Sequence, residues 1–370
     1  EQMRTSLRLL PLLWGSVDSA RRLAVLVVGV TERLVLEPTL RHVVAPAARD
    51  GVPVDYFLQL SNAWNRRPLD PDPPEPVPGP YTNLSTAELM AFVERQARLH
   101  GAQHVKVNLL EHGEHIDPVP LALERRKRLF AYPPYIKSEG RNQLRKLKSI
   151  EMLWNETLVY AGPGAYSHVI VSRDDIYWYG DVRLDMFPDP GQAYTSYCHA
   201  KPEWHVWDHV RVLGGQVADK LMRQYSDFYH YSNAALDLTH TCEQFLFVLS
   251  ILKKVPWTFV EMKHLPYYVG RYIRPAGKTR APELCLRYIV TRPCNSSTHR
   301  DTATAQDREL SAKSPCYRDP NRARCGPGRL SFPGCLNFLD SRDPERRQVE
   351  EFKTKSRHAR GGLSVGGWTR

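Results

Sequence analysis

The fifteen residues YSHVIVSRDDIYWYG (166–180) decide how the rest of the chain is interpreted. They contain the apolar, β-branched run Val-Ile-Val at 169–171, which is typical of a strand buried on both faces of a parallel sheet. Three charged residues, Arg173, Asp174 and Asp175, follow at once. Open α/β sheets bind ligands at the carboxyl ends of their strands. The pattern therefore predicts a ligand site here, and a charged, solvated turn is the alternative that it leaves equally open.

The alternation of side chains along a strand separates the two aspartates. Arg173 and Asp175 fall on one face and Asp174 on the other. We therefore expect Asp175 to act in a site together with Arg173, and Asp174 to cap the turn. Charges at a strand end are usually exposed, so we expect replacement of either aspartate by Asn to leave folding intact. The aromatic residues at 177–179 predict a surface on which a base or a sugar ring stacks.

Length and composition indicate a globular protein with a substantial core. The chain has 370 residues, of which 42% are hydrophobic and 10% aromatic, which suits one large α/β domain or two small ones. Its net charge of +11 is uneven, because residues 124–148 hold nine Lys/Arg against two Asp/Glu, and residues 291–370 hold sixteen against nine. A basic segment beside an acidic remainder favours an anionic ligand over nucleic acid. For residues 124–148, a solvated helix face is the alternative.

The cysteines and the glycosylation sequons predict a protein of the secretory pathway. Five of the seven cysteines lie between Cys285 and Cys335, a clustering that suggests disulfides formed in an oxidising lumen. Sequons begin at Asn83, Asn155 and Asn295. No apolar run is long enough to span a bilayer. The chain starts at Glu1 rather than Met, which leaves open whether an N-terminal membrane anchor precedes it.

The order of elements predicts one α/β domain with a mostly parallel central sheet flanked by helices. A strand, a helix and a second strand over residues 23–60 are typical of the first half of a nucleotide-binding unit, although neither a dinucleotide fingerprint nor a P-loop is present. We interpret residues 1–20 as a leader or stalk remnant and 21–290 as the domain. Residues 291–370 are predicted to be a basic, Cys-containing and mostly disordered tail.

Farther along the chain, apolar periodicity predicts three helices and a final strand. The helices are expected over residues 142–155, 216–229 and 239–253. Residues 257–262 are expected to form the last core strand.

Four short segments within residues 22–275 carry a family resemblance through their order and spacing. They are Gly29 and Arg33 after the first strand; Tyr166 and the Arg173-x-Asp175 strand end; Asp208 and Tyr225 around a helix of small residues; and Glu243 at the head of a late apolar helix. In this order they resemble GT-A-type glycosyltransferases of the WavE-like lipopolysaccharide-biosynthesis family and related uncharacterised eukaryotic proteins.

The resemblance implies a GT-A (Rossmann-like) fold and a glycosyltransferase of the Golgi lumen. Such an enzyme moves a sugar from a nucleotide-sugar donor to a hydroxyl of a glycan or glycoconjugate. The resemblance also implies roles for six residues: Gly29 and Arg33 lie near the nucleotide, Arg173 and Asp175 flank the donor, and Asp208 or Glu243 is the general base.

The resemblance leaves metal dependence open. A divalent cation, Mn²⁺ or Mg²⁺, bound through Asp175 would neutralise the donor's diphosphate. The usual DxD pattern would place an acid at position 173, however, and this chain has Arg173. The alternative is that Arg173 neutralises the phosphate charge itself.

Two other classes of function remain alternatives to an enzyme. One is a catalytically inactive GT-A-like protein that binds ligands in the secretory lumen. The other, less favoured, is a polyanion-binding protein that uses the two basic segments, whose binding would weaken strongly with salt.

Overall fold

The computed structural model describes seven parts of the chain: residues 21–61, 79–110, 138–196, 206–230, 242–260, 263–273 and 283–287. The expected leader (1–20) and tail (291–370) lie outside these ranges, and so does most of the basic segment 124–148. Within the described ranges, no helix has both the length and the apolar character that crossing a membrane requires.

The described ranges alternate between strands and helices along the chain. The strands are β1 Leu23–Val30, β2 Val54–Ser61, β3 Ala102–Leu110, β4 His168–Arg173, β5 Ile176–Trp178, β6 Ala193–Ser196, β7 Val210–Gly214, β8 Trp257–Val260, β9 Tyr267–Ile273 and β10 Glu283–Arg287. The α-helices are α1 Leu36–Thr39, α2 Ala45–Arg49, α3 Thr86–Leu99, α4 Ser138–Ala161, α5 Gly215–Met222, α6 Gln224–His230 and α7 Cys242–Leu252. A π-helical turn, Leu40–Val44, joins α1 to α2, and short 3₁₀ turns cover Thr31–Arg33, Pro80–Asn83 and Leu184–Met186.

The central sheet has seven strands in the order β3-β2-β1-β4-β7-β6-β8. Strands β1 to β4 are parallel to one another, β7 is antiparallel to both neighbours, and β8 is parallel to β6. The predicted α/β class with a mostly parallel central sheet is therefore confirmed. The strand order reverses between β1 and β4, the position at which open α/β sheets bind ligands.

Strand β1 is buried on both faces because a helix covers each side of it. Ala24 and Leu26 belong to one apolar cluster with residues of α4. Val25 and Val27 belong to a second cluster with Leu40 and other residues between α1 and α2. Two covered faces explain why the sequence of this strand is an unbroken apolar run.

The helix starting after Ser85 is capped by a reciprocal pair of hydrogen bonds. The Ser85 hydroxyl accepts a hydrogen bond from the backbone N–H of Glu88 at 3.3 Å, and the Glu88 carboxylate accepts one from the backbone N–H of Ser85 at 2.8 Å. This reciprocal pair is a capping box.

Two other helices differ from their predicted bounds. Helix α4, expected over residues 142–155, runs for 24 residues, and the helix expected over 216–229 is divided at Arg223 into α5 and α6.

A second, three-stranded sheet corrects the interpretation of residues 177–179. Strand β5 pairs antiparallel with β9, which pairs with β10. Trp178 is fully buried with its ring 5.6 Å from that of Tyr267, and both flanking tyrosines are buried too. These aromatic residues are therefore core and not a stacking surface. Strand β9, with its buried residue Tyr267, also shows that residues 257–262 are not the last core strand.

His168, the first residue of β4, makes stability depend on pH. Its Nε2 donates to the carbonyl of Phe187 at 2.8 Å, and burial lowers the pKa of the ring below its ordinary value. The unfolded chain, with a His pKa of about 6.5, therefore binds more protons in mild acid than the folded chain does. The contribution of His168 to stability is therefore complete above a pH of about 6.5, and it is lost as the pH falls from there towards the pKa of His168 in the folded state.

We expect the free energy of unfolding in urea to fall more steeply from about pH 7 to about pH 5 in the wild type than in His168→Gln. Equal slopes would show that His168 does not contribute.

Candidate functional site between β1 and β4

Asp174 connects the carboxyl ends of β1 and β4. Its carboxylate accepts two hydrogen bonds from the guanidinium of Arg33, from Nε to Oδ2 at 3.0 Å and from Nη2 to Oδ1 at 2.9 Å. Oδ2 also accepts from the backbone N–H of Val30 at 3.0 Å. The backbone N–H of Asp174 donates to the carbonyl of Val28 at 3.0 Å, and its carbonyl accepts from Val35 at 2.7 Å. A bidentate pair of this kind fixes position as well as charge.

Gly29 provides the space that the Asp174 side chain occupies. A Cβ atom at Gly29 would lie 2.0 Å from Cγ of Asp174, far inside van der Waals contact. Any larger residue at 29 would therefore displace the carboxylate from Arg33. The resemblance placed Gly29 and Arg33 near a nucleotide, and in the structure both surround the carboxylate of Asp174 at the end of β1.

The prediction that Asp174 is an exposed turn cap is wrong, since the residue is 1% exposed. The turn is covered because β4 leads directly into β5, whose partner strand β9 lies over it. The backbone N–H of Gly270 in β9 donates to the carbonyl of Asp175 at 2.7 Å. Burial raises the pKa of Asp174, and the guanidinium of Arg33 opposes that rise. Because Asp175 is also fully buried, the expectation that Asn at either position leaves folding intact is withdrawn.

Asp175 contacts Arg173, as the alternation predicted. Its Oδ2 accepts from Nη2 of Arg173 at 2.5 Å and lies 3.5 Å from Nη1 of Arg33. Two guanidinium groups thus stand beside the oxygen that a metal would need. The role of Asp175 as a metal ligand stays a prediction.

A second cluster joins Asp208 and Glu243, the two residues predicted as candidate bases. Asp208 precedes β7. Its Oδ2 accepts hydrogen bonds from the ammonium of Lys146 in α4 and from Sγ of Cys242 at 3.0 Å. Sγ of Cys242 lies 3.4 Å from the Lys146 ammonium and 3.5 Å from Oε2 of Glu243. Cys242 and Glu243 form the start of α7, so three separate elements meet at this cluster.

The two clusters form one continuous site because β4 pairs with β7. The register opposes Ser172 to Val210, and the backbone N–H of Arg173 donates to the carbonyl of His209 at 3.0 Å. Arg173 is close enough to Lys146 to affect its titration. Burial is the main cause that lowers the pKa of Lys146, Arg173 lowers it further, and the acidic groups beside it oppose the change.

Asp208, Cys242 and Glu243 have the spacing of a metal-binding cluster. One ligand atom from each lies within 4.8 Å of the others. Mg²⁺ and Mn²⁺ prefer oxygen ligands, whereas sulfur favours softer ions such as zinc. The ammonium of Lys146 contacts both Asp208 and Cys242 and so takes the position that a cation would need. This cluster therefore does not fit Mg²⁺ or Mn²⁺.

Sequence reasoning missed three residues of the site besides the role of Asp174. Lys146 was one of nine cations in the segment 124–148, and only the packing of α4 distinguishes it. Cys242 stands in an apolar helix, and nothing in the local pattern sets it apart from its neighbours. Arg211 does carry a signal in the sequence, because it is a charge inside the apolar run Val-Arg-Val-Leu at 210–213.

Two residues that carried the resemblance contact other parts of the fold. Tyr166 precedes β4, at the opposite edge of the sheet, and donates to Oδ2 of Asp55 at 2.8 Å. Tyr225 packs against Tyr229, and the ammonium of Lys148 lies 5.5 Å from the centre of the Tyr225 ring.

No family model matches the chain, and no curated protein matches it in sequence.

Breaking the Arg33–Asp174 pair is expected to destabilise the fold. Asp174→Asn removes the bidentate partner of Arg33 and leaves it only the longer contact with Asp175 at 3.5 Å, and removal of one partner of a buried pair costs about 3–5 kcal/mol. We expect the lower end, about 3 kcal/mol, because the Arg33 side chain keeps 24% of its exposure. The control is Glu37→Gln, which removes the exposed pair between Glu37 and Arg41 and should leave stability nearly unchanged. Urea unfolding of both variants measures the difference. Similar losses in the two would contradict the central role of Asp174.

Proposed function

We propose that the chain is a glycosyltransferase that moves a sugar from a nucleotide-sugar donor to a hydroxyl of a glycan or glycoconjugate. The observation that carries the proposal is the position of the site. Arginines, a lysine and carboxylates from β1, β4, α4 and α7 converge where the strand order reverses, which is the ligand-binding position of open α/β sheets. The motif order that resembles GT-A-type enzymes of the WavE-like family adds support for that fold and activity, and for a place in the Golgi lumen.

The leaving group of such a reaction is a nucleoside diphosphate, which needs positive charge as the bond to the sugar breaks. Arg173 and Lys146 can supply that charge. Lys146 lies in the middle of the acidic cluster, where its ammonium already contacts Asp208. We therefore propose that transfer proceeds without a divalent cation.

Glu243 is the better candidate for the general base. Asp208 is buried and already accepts from Lys146 and Cys242, whereas Glu243 is only partly buried. In the proposed reaction the acceptor oxygen forms a bond to the anomeric carbon while the bond from that carbon to the phosphate oxygen breaks. The proton of the acceptor hydroxyl goes to Glu243, and the electron pair leaves with the diphosphate. Asp208 is a positioning residue that holds Lys146.

One observation favours the second candidate, an inactive GT-A-like lumenal binding protein. Asp175 is fully buried and its Oδ2 lies between two arginines. The carboxylate that was expected to flank the donor therefore pairs with arginines within the fold. Such a protein would bind a nucleotide sugar and leave it intact. Donor breakdown therefore separates the two candidates.

The first test uses the full chain secreted from eukaryotic cells and a panel of nucleotide sugars. We expect at least one donor to raise the melting temperature and to be hydrolysed slowly in the absence of an acceptor. Both effects should persist in EDTA. Binding without any hydrolysis or transfer would favour the inactive binding protein. Activity that is lost in EDTA and restored by Mn²⁺ would contradict the metal-free mechanism.

Replacement of the proposed base should reduce turnover but not donor binding. Glu243→Gln keeps the shape of the side chain and removes its ability to accept a proton, so we expect turnover to fall by about a hundredfold or more. The thermal shift given by the donor should remain. Glu94→Gln, on the exposed face of α3 where Glu94 pairs with Arg98, is the matched control and should keep full turnover. Normal turnover in Glu243→Gln would exclude this residue as the base.

A further inference from the structure

Arg211 is a buried cation for which the described residues supply no hydrogen-bond partner. It lies in β7 opposite Val171 of β4 and is 1% exposed. In the part of the chain that the structure describes, none of its three guanidinium nitrogens has a hydrogen-bond partner. Burial of an unpaired charge costs several kcal/mol, so a native fold that retains one calls for a specific explanation.

Alternation along β7 places Arg211 beneath the Lys146 cluster. Leu213 and Val171 belong to the apolar cluster that α4 and α7 cover, and Arg211, two residues from Leu213, faces the same side. Lys146 comes from α4 and Cys242 from α7. Burial lowers the pKa of Arg211 to about 10, and the nearby Cys242 opposes the change. The guanidinium therefore stays protonated at neutral pH.

Lys146 has a donor left for a ligand. An ammonium has three N–H donors, and Asp208 and Cys242 account for two of them among the described residues. The side chain keeps 17% of its exposure, so solvent reaches it, while Arg211 lies deeper. Arg211 is close enough to Lys146 to lower the pKa of its ammonium further, and Lys146 is the more exposed of the two cations.

We propose that Arg211 and Lys146 form an anion-binding site that receives the diphosphate group of a nucleotide. A guanidinium offers five donors in a planar fork, which suits two phosphate oxygens at once. The entering anion would supply the acceptors that Arg211 lacks and would use the remaining donor of Lys146. The site rests on the geometry of these residues, and only the naming of the anion as that of a sugar donor rests on the proposed function.

The test compares Arg211→Met with the wild type in the full chain, using inorganic pyrophosphate and UDP as probes in titration calorimetry. We expect the affinity for pyrophosphate to fall by about tenfold or more. We also expect the urea midpoint to stay the same or to rise, because the variant removes a buried charge that has no hydrogen-bond partner among the described residues. A ligand-binding role predicts this opposite response of binding and stability, whereas a structural role does not.

The control is Arg22→Met, which lies at the amino ends of the central strands, opposite the proposed anion site. Arg22 donates to Asp55 from Nε at 2.7 Å and from Nη2 at 3.1 Å. Its loss should lower the urea midpoint and leave the affinity for pyrophosphate unchanged. If Arg211→Met fails to fold, Arg211→Lys replaces it, since Lys keeps the charge but lacks the fork. Arg211→Lys should also bind pyrophosphate more weakly.

Two results would overturn the proposal. They are unchanged pyrophosphate affinity in the folded Arg211 variant, whatever its urea midpoint, and a wild type that binds neither probe. The second result would also count against the proposed glycosyltransferase. If pyrophosphate binds through Arg211 but no nucleotide sugar is hydrolysed or transferred, the anion site stands and the enzymatic function fails.

Discussion

The buried pair between Arg33 and Asp174 determines how the two halves of the sheet meet. It joins the segment after β1 to the turn after β4, and it exists only because position 29 carries no side chain. The same turn sets the start of β5 and, through Asp175, the contact with β9. A carboxylate in a low dielectric is costly unless it is paired and hydrogen-bonded. Asp174 meets both conditions, so contacts within the chain hold the carboxyl ends of β1 and β4 together.

Beside this fixed edge, the cations of the site differ in how completely they are paired. Arg33 and Arg173 contact buried carboxylates, Lys146 contacts Asp208, and Arg211 has no hydrogen-bond partner among the described residues. Electrostatic interactions are stronger in a buried, low-dielectric site than in water. An anion that pairs with Arg211 and Lys146 would therefore bind with high specificity. Proteins commonly give up some stability at sites that must hold a ligand. Arg211, buried without a hydrogen-bond partner among the described residues, is better explained by such a ligand-binding role than by a structural one.

The sequence predicted the site where local pattern was sufficient and failed where distant segments decide. The buried run at 169–171 and the alternation that pairs Arg173 with Asp175 are properties of one strand, and both were predicted correctly. The exposure of Asp174 and of the aromatic residues at 177–179 was predicted wrongly, because β9, which covers them, lies about ninety residues farther along the chain. Similarly, helix packing alone distinguishes Lys146 from its basic neighbours. Asp208 and Glu243 were predicted from the order of motifs, and the structure brings both into contact with Cys242, while their catalytic role stays a prediction.

The most direct test of the account is an experimental structure of the full chain with the nucleoside diphosphate that stabilises it most. We expect the diphosphate to lie at the carboxyl ends of β1 and β4, with its oxygens within hydrogen-bond distance of Arg211 and Lys146. A diphosphate bound at the amino ends of the strands, beside Asp55 and Tyr166, would contradict it, and so would one bound away from the central sheet.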